Sequence, residues 1–326
     1  MTDSTDSTGS TDSTDRTDQW ERKALEKIAL AGVAEQRRAR RWGIFFKLLG
    51  FAYVTWIILL VTGWQAAEAP GAEKHTALVE VDGLIAPGSD ASADRITSAL
   101  QAAFEDERTQ GVVLRINSPG GSPVQAQTIY DEMRRLRKKY PKIPLYAVVE
   151  DLCASGGYYV AVGADRIFVS KSSIVGSIGV RMDGFGVTGL MEKLGIERRL
   201  LTAGKNKALL DPFLPVEKDQ EQYVLGLLNE IHQQFIDTVR AGRGARLKET
   251  PEMFSGLIWT GEKGIELGLV DSLGTLDSVA REVIKAEEVV DYTQKENIAE
   301  RIAKRFGASM ASALADLAVR ERPLLR

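Results

Sequence analysis

Leu145-Tyr146-Ala147-Val148-Val149, followed after Glu150 by Asp151-Leu152-Cys153-Ala154-Ser155-Gly156-Gly157-Tyr158-Tyr159 and Val160-Ala161-Val162-Gly163-Ala164, is the stretch on which the chain turns. An apolar, β-branched run that closes on small residues and reopens as an Ala-rich segment reads as strand, sharp turn, helix. Ser155 then stands at a helix N-terminus. Glycines after it let the backbone approach a substrate, and the unpaired N–H groups of the first helical turn can hold a developing oxyanion. An isolated Ala-Ser-Gly-Gly is also what any tight strand-to-helix turn requires, so the reading depends on what surrounds it.

On either side the chain alternates strand-like and helix-like segments. Ala77–Val81, Gly111–Ile116, Leu145–Val149 and Arg166–Val169 are strand-like, while Ala93–Glu107 and Pro123–Lys139 have helical periodicity. Strands separated by helices of this length predict parallel βαβ units, an α/β domain with helices packed outside the sheet. Further on, Pro215–Arg240 reads as one long helix with Val224, Leu227, Leu228, Ile231 and Phe235 on a packing face, and His232 lies within it as a structural residue.

The first 76 residues have a different character. Residues 2–18 are nearly pure Ser, Thr and Asp and predict a disordered tail, and Trp20–Trp42 is a helix-forming, Arg-rich segment. Residues 43–64 form an apolar block long enough to cross a bilayer as a helix, with Lys47 snorkelling to the headgroups and Trp64 at the far interface. Arg16, Arg22, Lys23, Lys27, Arg37, Arg38, Arg40 and Arg41 precede it and only Lys74 follows closely, which by the positive-inside rule puts the N-terminus in the cytoplasm and the rest outside. Ala67-Glu68-Ala69 has the pattern of a signal-peptidase site, but the block exceeds an h-region and follows a long tail, so a retained anchor is expected. The resulting division is a disordered and basic segment at 1–42, a transmembrane helix at 43–64, a linker at 65–76, a catalytic domain at 77–290 and a helical tail at 291–326. Within that tail Ile298, Ile302 and Phe306 could share a stripe.

Composition excludes several classes. A net charge of −3 gives no general attraction to nucleic acid. The single cysteine, Cys153, forbids an intrachain disulfide and a cysteine-built metal cage, and reads as a small buried hydrophobe. Two histidines, His75 and His232, argue against a His-rich metal site, and neither a metal nor a cofactor is expected. Gly184-Phe185-Gly186-Val187-Thr188-Gly189 matches the dinucleotide fingerprint only as a pattern cheap to find among 30 glycines, and reads as a turn.

A second glycine loop, Asn117-Ser118-Pro119-Gly120-Gly121, lies directly after a strand and before a helix, where an N–H can point into the crevice that binds ligands in α/β sheets. It reads either as one arm of an oxyanion hole or as an ordinary turn. Ser155 also needs a base, and a Ser-His-Asp triad would have to recruit His75 beside the linker or His232 in a packed helix. The remaining route is a lysine so desolvated that its pKa falls from about 10.4 toward roughly 7 or 8. Lys205 and Lys207, in Ala203–Phe213, are candidates that composition alone would call solvated loop charges.

Taken together, Asn117–Gly121, Ala154–Tyr159, Val175-Gly176-Ser177-Ile178-Gly179-Val180, Lys207-Ala208, Trp259-Thr260-Gly261 and Gly268-Leu269-Val270-Asp271 resemble the signal peptide peptidase A family. Those are membrane-bound bacterial Ser/Lys proteases of the Clp-protease/crotonase fold. The likeness covers about residues 76–285, looks like the short form with one catalytic domain per chain, and departs at Asn206, where many relatives carry tyrosine. The resemblance implies Ser155 as nucleophile, Lys207 as general base, Ser177 hydrogen-bonded to the lysine amine, and the N–H groups of Gly121 and Gly156 as the oxyanion hole. It further implies a homo-oligomer in which neighbouring protomers supply the Ser and Lys of one site. The implied substrates are residual signal peptides and other apolar peptides at the cell membrane. Two other functions share parts of this pattern: crotonase-type acyl-CoA chemistry, which needs no activated serine, and a non-catalytic oligomeric membrane scaffold.

Overall fold

The computed structural model describes residues 40–57 and 73–294, together with the isolated positions 27, 30, 37 and 38. The chain divides into two units, Met1–Pro70 and Gly71–Arg326. In the first, residues 40–57 form helix α1, exposed along nearly its whole length, with Trp42, Phe45 and Phe46 gathered at ring-centroid distances of 5.7 Å. The expected span at 43–64 therefore lies partly outside the described residues. Among those described, no helix is long and apolar enough to cross a membrane. The tail beyond Gln294 and the Ser/Thr/Asp segment also lie outside them.

The second unit is built on β1 (His75–Asp82), β2 (Thr109–Ser118), β3 (Leu145–Ala154), β4 (Arg166–Val169) and β5 (Ile174–Gly176), interleaved with helices α2 (Ala93–Glu105), α3 (Pro123–Lys139) and α4 (Gly156–Ala161). Helix α3 starts where its sequence says it should. Ser122 caps it by accepting from the Gln125 N–H, Pro123 occupies the first turn, and Arg137, Lys138 and Lys139 face the negative end of the helix dipole. Farther along come α5 (Thr188–Lys193), the 26-residue α6 (Lys218–Arg243), β6 (Ile258–Thr260), α7 (Gly261–Glu266), β7 (Ser272–Leu273), α8 (Leu276–Ser278), a π-helical turn (Val279–Ile284) and β8 (Val289–Asp291).

The sheet runs β6-β5-β3-β2-β1-β8, parallel except at β5–β6. β3 is its axis. The first half of β3 pairs with β4 (Tyr146 opposite Arg166) and the second half with β5 (Leu152 opposite Ile174), so the sheet forks at the Ser170–Ser173 turn. From β1 to β4 the chain moves across the sheet in one direction, and crossovers of one hand then fall on one face. Accordingly α2, α3 and α4 bury Ile96, Leu100, Phe104, Ile129, Met133, Leu136 and Tyr158 against Val79, Leu114, Ile116 and Val149 on a single side. The expected α/β domain, with helices packed outside a parallel sheet, is what the chain forms, and these helices lie on that side. The other face carries only a small cluster, Leu78, Val113, Val148 and Phe168, covered by Val279 and its neighbours.

Two other expectations shift. β1 opens at His75, two residues ahead of the strand-like run at Ala77, and His75 is buried, with Nε2 3.0 Å from the Tyr292 hydroxyl. On α6, Val224 and Phe235 are buried, whereas Leu227 is 41% exposed and Leu228 and Ile231 are only half-buried. The predicted packing face of α6 is therefore only partly covered within one chain.

Candidate active site

β3 ends at Ala154 and α4 begins at Gly156, so Ser155 alone makes the turn. It does so at φ 53° and ψ −124°, a conformation that costs about 1–3 kcal/mol in a non-glycine residue and persists only where the surroundings impose it. They do: the Ser155 N–H donates to Gly176 O at 2.8 Å, and its carbonyl accepts the Tyr159 N–H at 2.9 Å. A serine on a strained strand-to-helix turn is the arrangement of a nucleophile elbow. The preceding Cys153 is fully buried, and burial pushes its thiol far up, leaving it a neutral, inert neighbour.

The loop after β2 closes on this turn. A Cβ on Gly120 (φ 97°) would stand 2.6 Å from the Gly156 nitrogen and 2.7 Å from Ser155 Cβ, and one on Gly121 would stand 2.0 Å from Ile85 O. Both positions must be glycine for the loop to lie so near. From the other side, a Cβ on Gly156 would meet the Gly121 nitrogen at 3.1 Å, so the two amides border one small space beside Ser155. Neither N–H donates to an acceptor among the described residues. Two free amides next to a half-buried hydroxyl are what stabilisation of a tetrahedral oxyanion asks for.

The loop itself is held by Ser118, a buried residue inside the same motif. Its hydroxyl donates to Gly83 O at 2.6 Å and accepts the Gly120 N–H at 3.1 Å. The signal was available, because a serine two residues before a glycine can close a turn onto the backbone.

Ser177 lies beside the elbow as well. Its predecessor Gly176 is the register partner of Ala154, and Ser177 also has φ 53°. Its N–H donates to Leu257 O at 2.7 Å. Gly121, Ser155, Gly156 and the Ser177 backbone therefore converge at the carboxyl ends of β2, β3 and β5, where α/β sheets bind ligands.

Lys207 does not join them within one chain. It lies exposed in a turn at residues 204–210, and neither Ser155 nor Ser177 hydrogen-bonds its amine. Lys205, in the same turn, is exposed too. The turn belongs to an excursion in which no residue from Gly179 to Tyr223 is buried. Its internal ties include Val187 N–H to Pro212 O at 2.8 Å, an Arg198–Asp211 ion pair, and Arg198 over the Phe213 ring at 4.9 Å. The Gly184–Gly189 pattern lies here, and a Cβ on any of its three glycines would meet open space, so no close backbone approach explains them.

Neither histidine can serve Ser155 in this arrangement. His75 lies at the opposite, N-terminal edge of the parallel strands, and His232 bonds Ile178 O at 3.1 Å. Among the described residues, no cluster of three or more His, Cys, Asp or Glu is placed to hold a metal ion.

This body is covered by two family descriptions, Clp protease over residues 83–175 and peptidase family S49 over 137–290. A putative protease of Synechocystis is 34% identical over 202 residues, 62% of this chain and 70% of that protein. The chain belongs to peptidase family S49. A putative signal peptide peptidase SppA of Enterococcus faecium is 28% identical over 237 residues, covering 70% of this chain and 68% of its own length. A Brucella abortus protein named as a Na(+)/H(+) antiporter NhaA is 46% identical over 182 residues, 56% of this chain. The chain spans only a quarter of that relative's length.

Proposed function

We propose that the chain is a membrane-tethered serine endopeptidase acting on residual signal peptides and other apolar peptides, with Ser155 as nucleophile and Lys207 as general base. The observation that carries the reading is the pair of unengaged N–H groups, Gly121 and Gly156, beside a serine held in a strained elbow. Membership of S49 and the protease names of its relatives support it.

The chemistry runs through an acyl-enzyme. An uncharged Lys207 amine takes the Ser155 proton as Oγ attacks the scissile carbonyl carbon, and the carbonyl oxygen becomes an oxyanion bonded by the Gly121 and Gly156 N–H groups. The lysine then gives its proton to the leaving amine as the C–N bond breaks. Water, deprotonated by the same lysine, attacks the ester carbon, the bond to Ser155 Oγ breaks as the lysine returns the proton to that oxygen, and the carboxylic acid product leaves. The Ser177 hydroxyl orients the amine.

Lys207 must reach Ser155 from somewhere, and the excursion that carries it exposes Phe185 (88%), Leu201 (96%) and Val216 (62%). So much unpartnered apolar surface on one arm favours a second copy of the chain as its cover, with the amine delivered to the neighbour's serine. The basic and aromatic N-terminal segment would then tether the assembly, with the catalytic unit on the extracytoplasmic side.

The test is labelling by a fluorophosphonate probe in detergent-solubilised full-length protein. Wild type should be labelled, Ser155→Ala and Lys207→Ala should not, and mixing the two variants during assembly should restore labelling of some subunits. Undiminished labelling of Ser155→Ala overturns the nucleophile; labelling of Lys207→Ala alone overturns the general base, and two unlabelled variants that restore nothing on mixing overturn the shared site.

A further inference from the structure

The proposed reaction uses Ser177 to orient the lysine, yet Ser177 sits in a conformation that a non-glycine residue does not hold unaided. At φ 53° it needs restraint from its surroundings. Three hydrogen bonds supply that restraint. Gly176 O accepts from the Ser155 N–H at 2.8 Å, the Ser177 N–H donates to Leu257 O at 2.7 Å, and Ile178 O receives His232 Nε2 at 3.1 Å. The first two are backbone bonds that any sequence could make. Among the described residues, the third is the one supplied by a side chain.

We propose that His232 is a positioning residue, whose Nε2–H bond to the Ile178 carbonyl holds the Ser177 loop in its functional conformation. The inference rests on the role given to Ser177 above. A carbonyl only accepts, so the bond fixes the proton on Nε2. The geometry makes this more than an incidental contact. One turn beyond His232, Phe235 packs on the Tyr159 ring at 5.1 Å, and Thr238 bonds the Tyr159 hydroxyl at 3.0 Å. Tyr159 belongs to α4, which begins immediately after Ser155. A single helix, α6, thus touches both serine-bearing segments, through aromatic packing on one and through His232 on the other. Ile178 is itself fully buried, so the carbonyl that His232 binds belongs to an anchored residue.

The length of the side chain gives a discriminating test. The amide nitrogen of glutamine can take the place of Nε2, while that of asparagine reaches only as far as Nδ1. Fluorophosphonate labelling rates of full-length protein in detergent would be measured from pH 6 to 10 for wild type, Ser177→Ala, His232→Phe, His232→Asn, His232→Gln and the double variant Ser177→Ala/His232→Phe. Assembly would be checked by sedimentation.

His232→Phe and His232→Asn should each slow labelling by roughly three- to tenfold, the range expected for one lost hydrogen bond. Their pH–rate curves should move in the same direction as that of Ser177→Ala. His232→Gln should recover most of the rate, and the double variant should be no slower than Ser177→Ala alone. Equal rates for the Asn and Gln variants overturn the inference, as does a double variant slowed by the product of the two single effects. If Ser177→Ala shifts the curve and His232→Phe does not, His232 alone loses its role. If Ser177→Ala leaves the curve unchanged, the orienting role of Ser177 falls first and that of His232 with it.

Discussion

At Ser155 the backbone carries as much of the argument as the side chain does. A β-branched strand runs into a residue forced to positive φ, and the glycines of the neighbouring loop come close enough that no Cβ fits. This much is legible in Ala154-Ser155-Gly156-Gly157 and Asn117–Gly121, because a change of period punctuated by glycine has few structural meanings. Ser177 is legible only through family resemblance. It follows a strand of three residues, too short to show an alternation, and its conformation is imposed by Leu257 and His232 from far along the chain. The tightness of the glycine contact also makes a prediction. Gly120→Ala would drive a methyl to 2.6 Å from the Gly156 nitrogen and spoil the space between the two amides. Probe labelling should fall by about 10²–10³-fold, the cost of one lost oxyanion donor, while far-ultraviolet circular dichroism remains that of wild type. A loss of less than threefold would show that the two amides do not act on the reacting oxygen.

Among the elements, those with a long local signature were readable and those fixed by distant partners were not. Helix α3 begins at Pro123 and ends at Lys139 as its cap and basic last turn dictate, and β4 spans the predicted Arg166–Val169. β3 was expected to stop at Val149 but continues to Ala154, because β5 pairs with its polar second half. The antiparallel pairing of β6 with β5 joins residues more than 80 positions apart, and no short window of sequence contains both. The C-terminal end of α6 shows the same dependence on remote partners. Arg243, 2% exposed, forms a two-pronged ion pair with Asp271 at 2.9 Å and donates to Gly268 O at 2.8 Å. Burial pushes the Asp271 carboxyl up, but the Arg243 bonds and charge, the Ile167 N–H and Arg246 together hold it below the usual carboxylate range. Arg243→Met should therefore destabilise the protein by about 3 kcal/mol, near the lower end for breaking a buried pair because Arg246 still faces Asp271. Urea unfolding would measure the loss. Replacing both partners, Arg243→Met with Asp271→Leu, should recover part of it. The excursion around Lys207 makes the opposite prediction. Phe213→Asp should barely alter the melting of the separated subunits, since Phe213 is 44% exposed, yet sedimentation should show it weakening their assembly.

Over the catalytic unit as a whole, its first strand and its last are clasped at the sheet edge remote from Ser155. β8 pairs with β1, the Tyr292 N–H donates to Leu78 O, and the Tyr292 hydroxyl lies between His75 Nε2 at 3.0 Å and Asp106 at 2.8 Å. Nothing in the sequence around Tyr292 forecasts this, because its partners are about 190 and 220 residues away. The clasp gives stability a pH dependence at both extremes. Hydrogen bonding from Arg108 outweighs burial and holds the Asp106 carboxyl far below its ordinary value. A carboxyl depressed by folding stabilises the native state above its unfolded pKa of about 3.9, and that contribution is lost as pH falls below it. Burial, followed by the neighbouring Asp106, pushes Tyr292 up to about 12. A phenol raised by folding contributes fully below its unfolded pKa of about 10, and its contribution disappears as pH rises from there through the folded value. The contribution of these two groups to melting of the full-length protein in detergent should accordingly be constant in pH between the two windows. Asp106→Asn should melt lower than wild type at pH 7, with the gap narrowing toward pH 2. Tyr292→Phe should remove part of the alkaline decline between pH 10 and 12 while leaving the acid limb in place. A gap between Asp106→Asn and wild type that stays constant from pH 7 to pH 2 would mean that the Asp106 bonds are not formed in solution, and that β8 pairing alone holds this edge of the sheet closed.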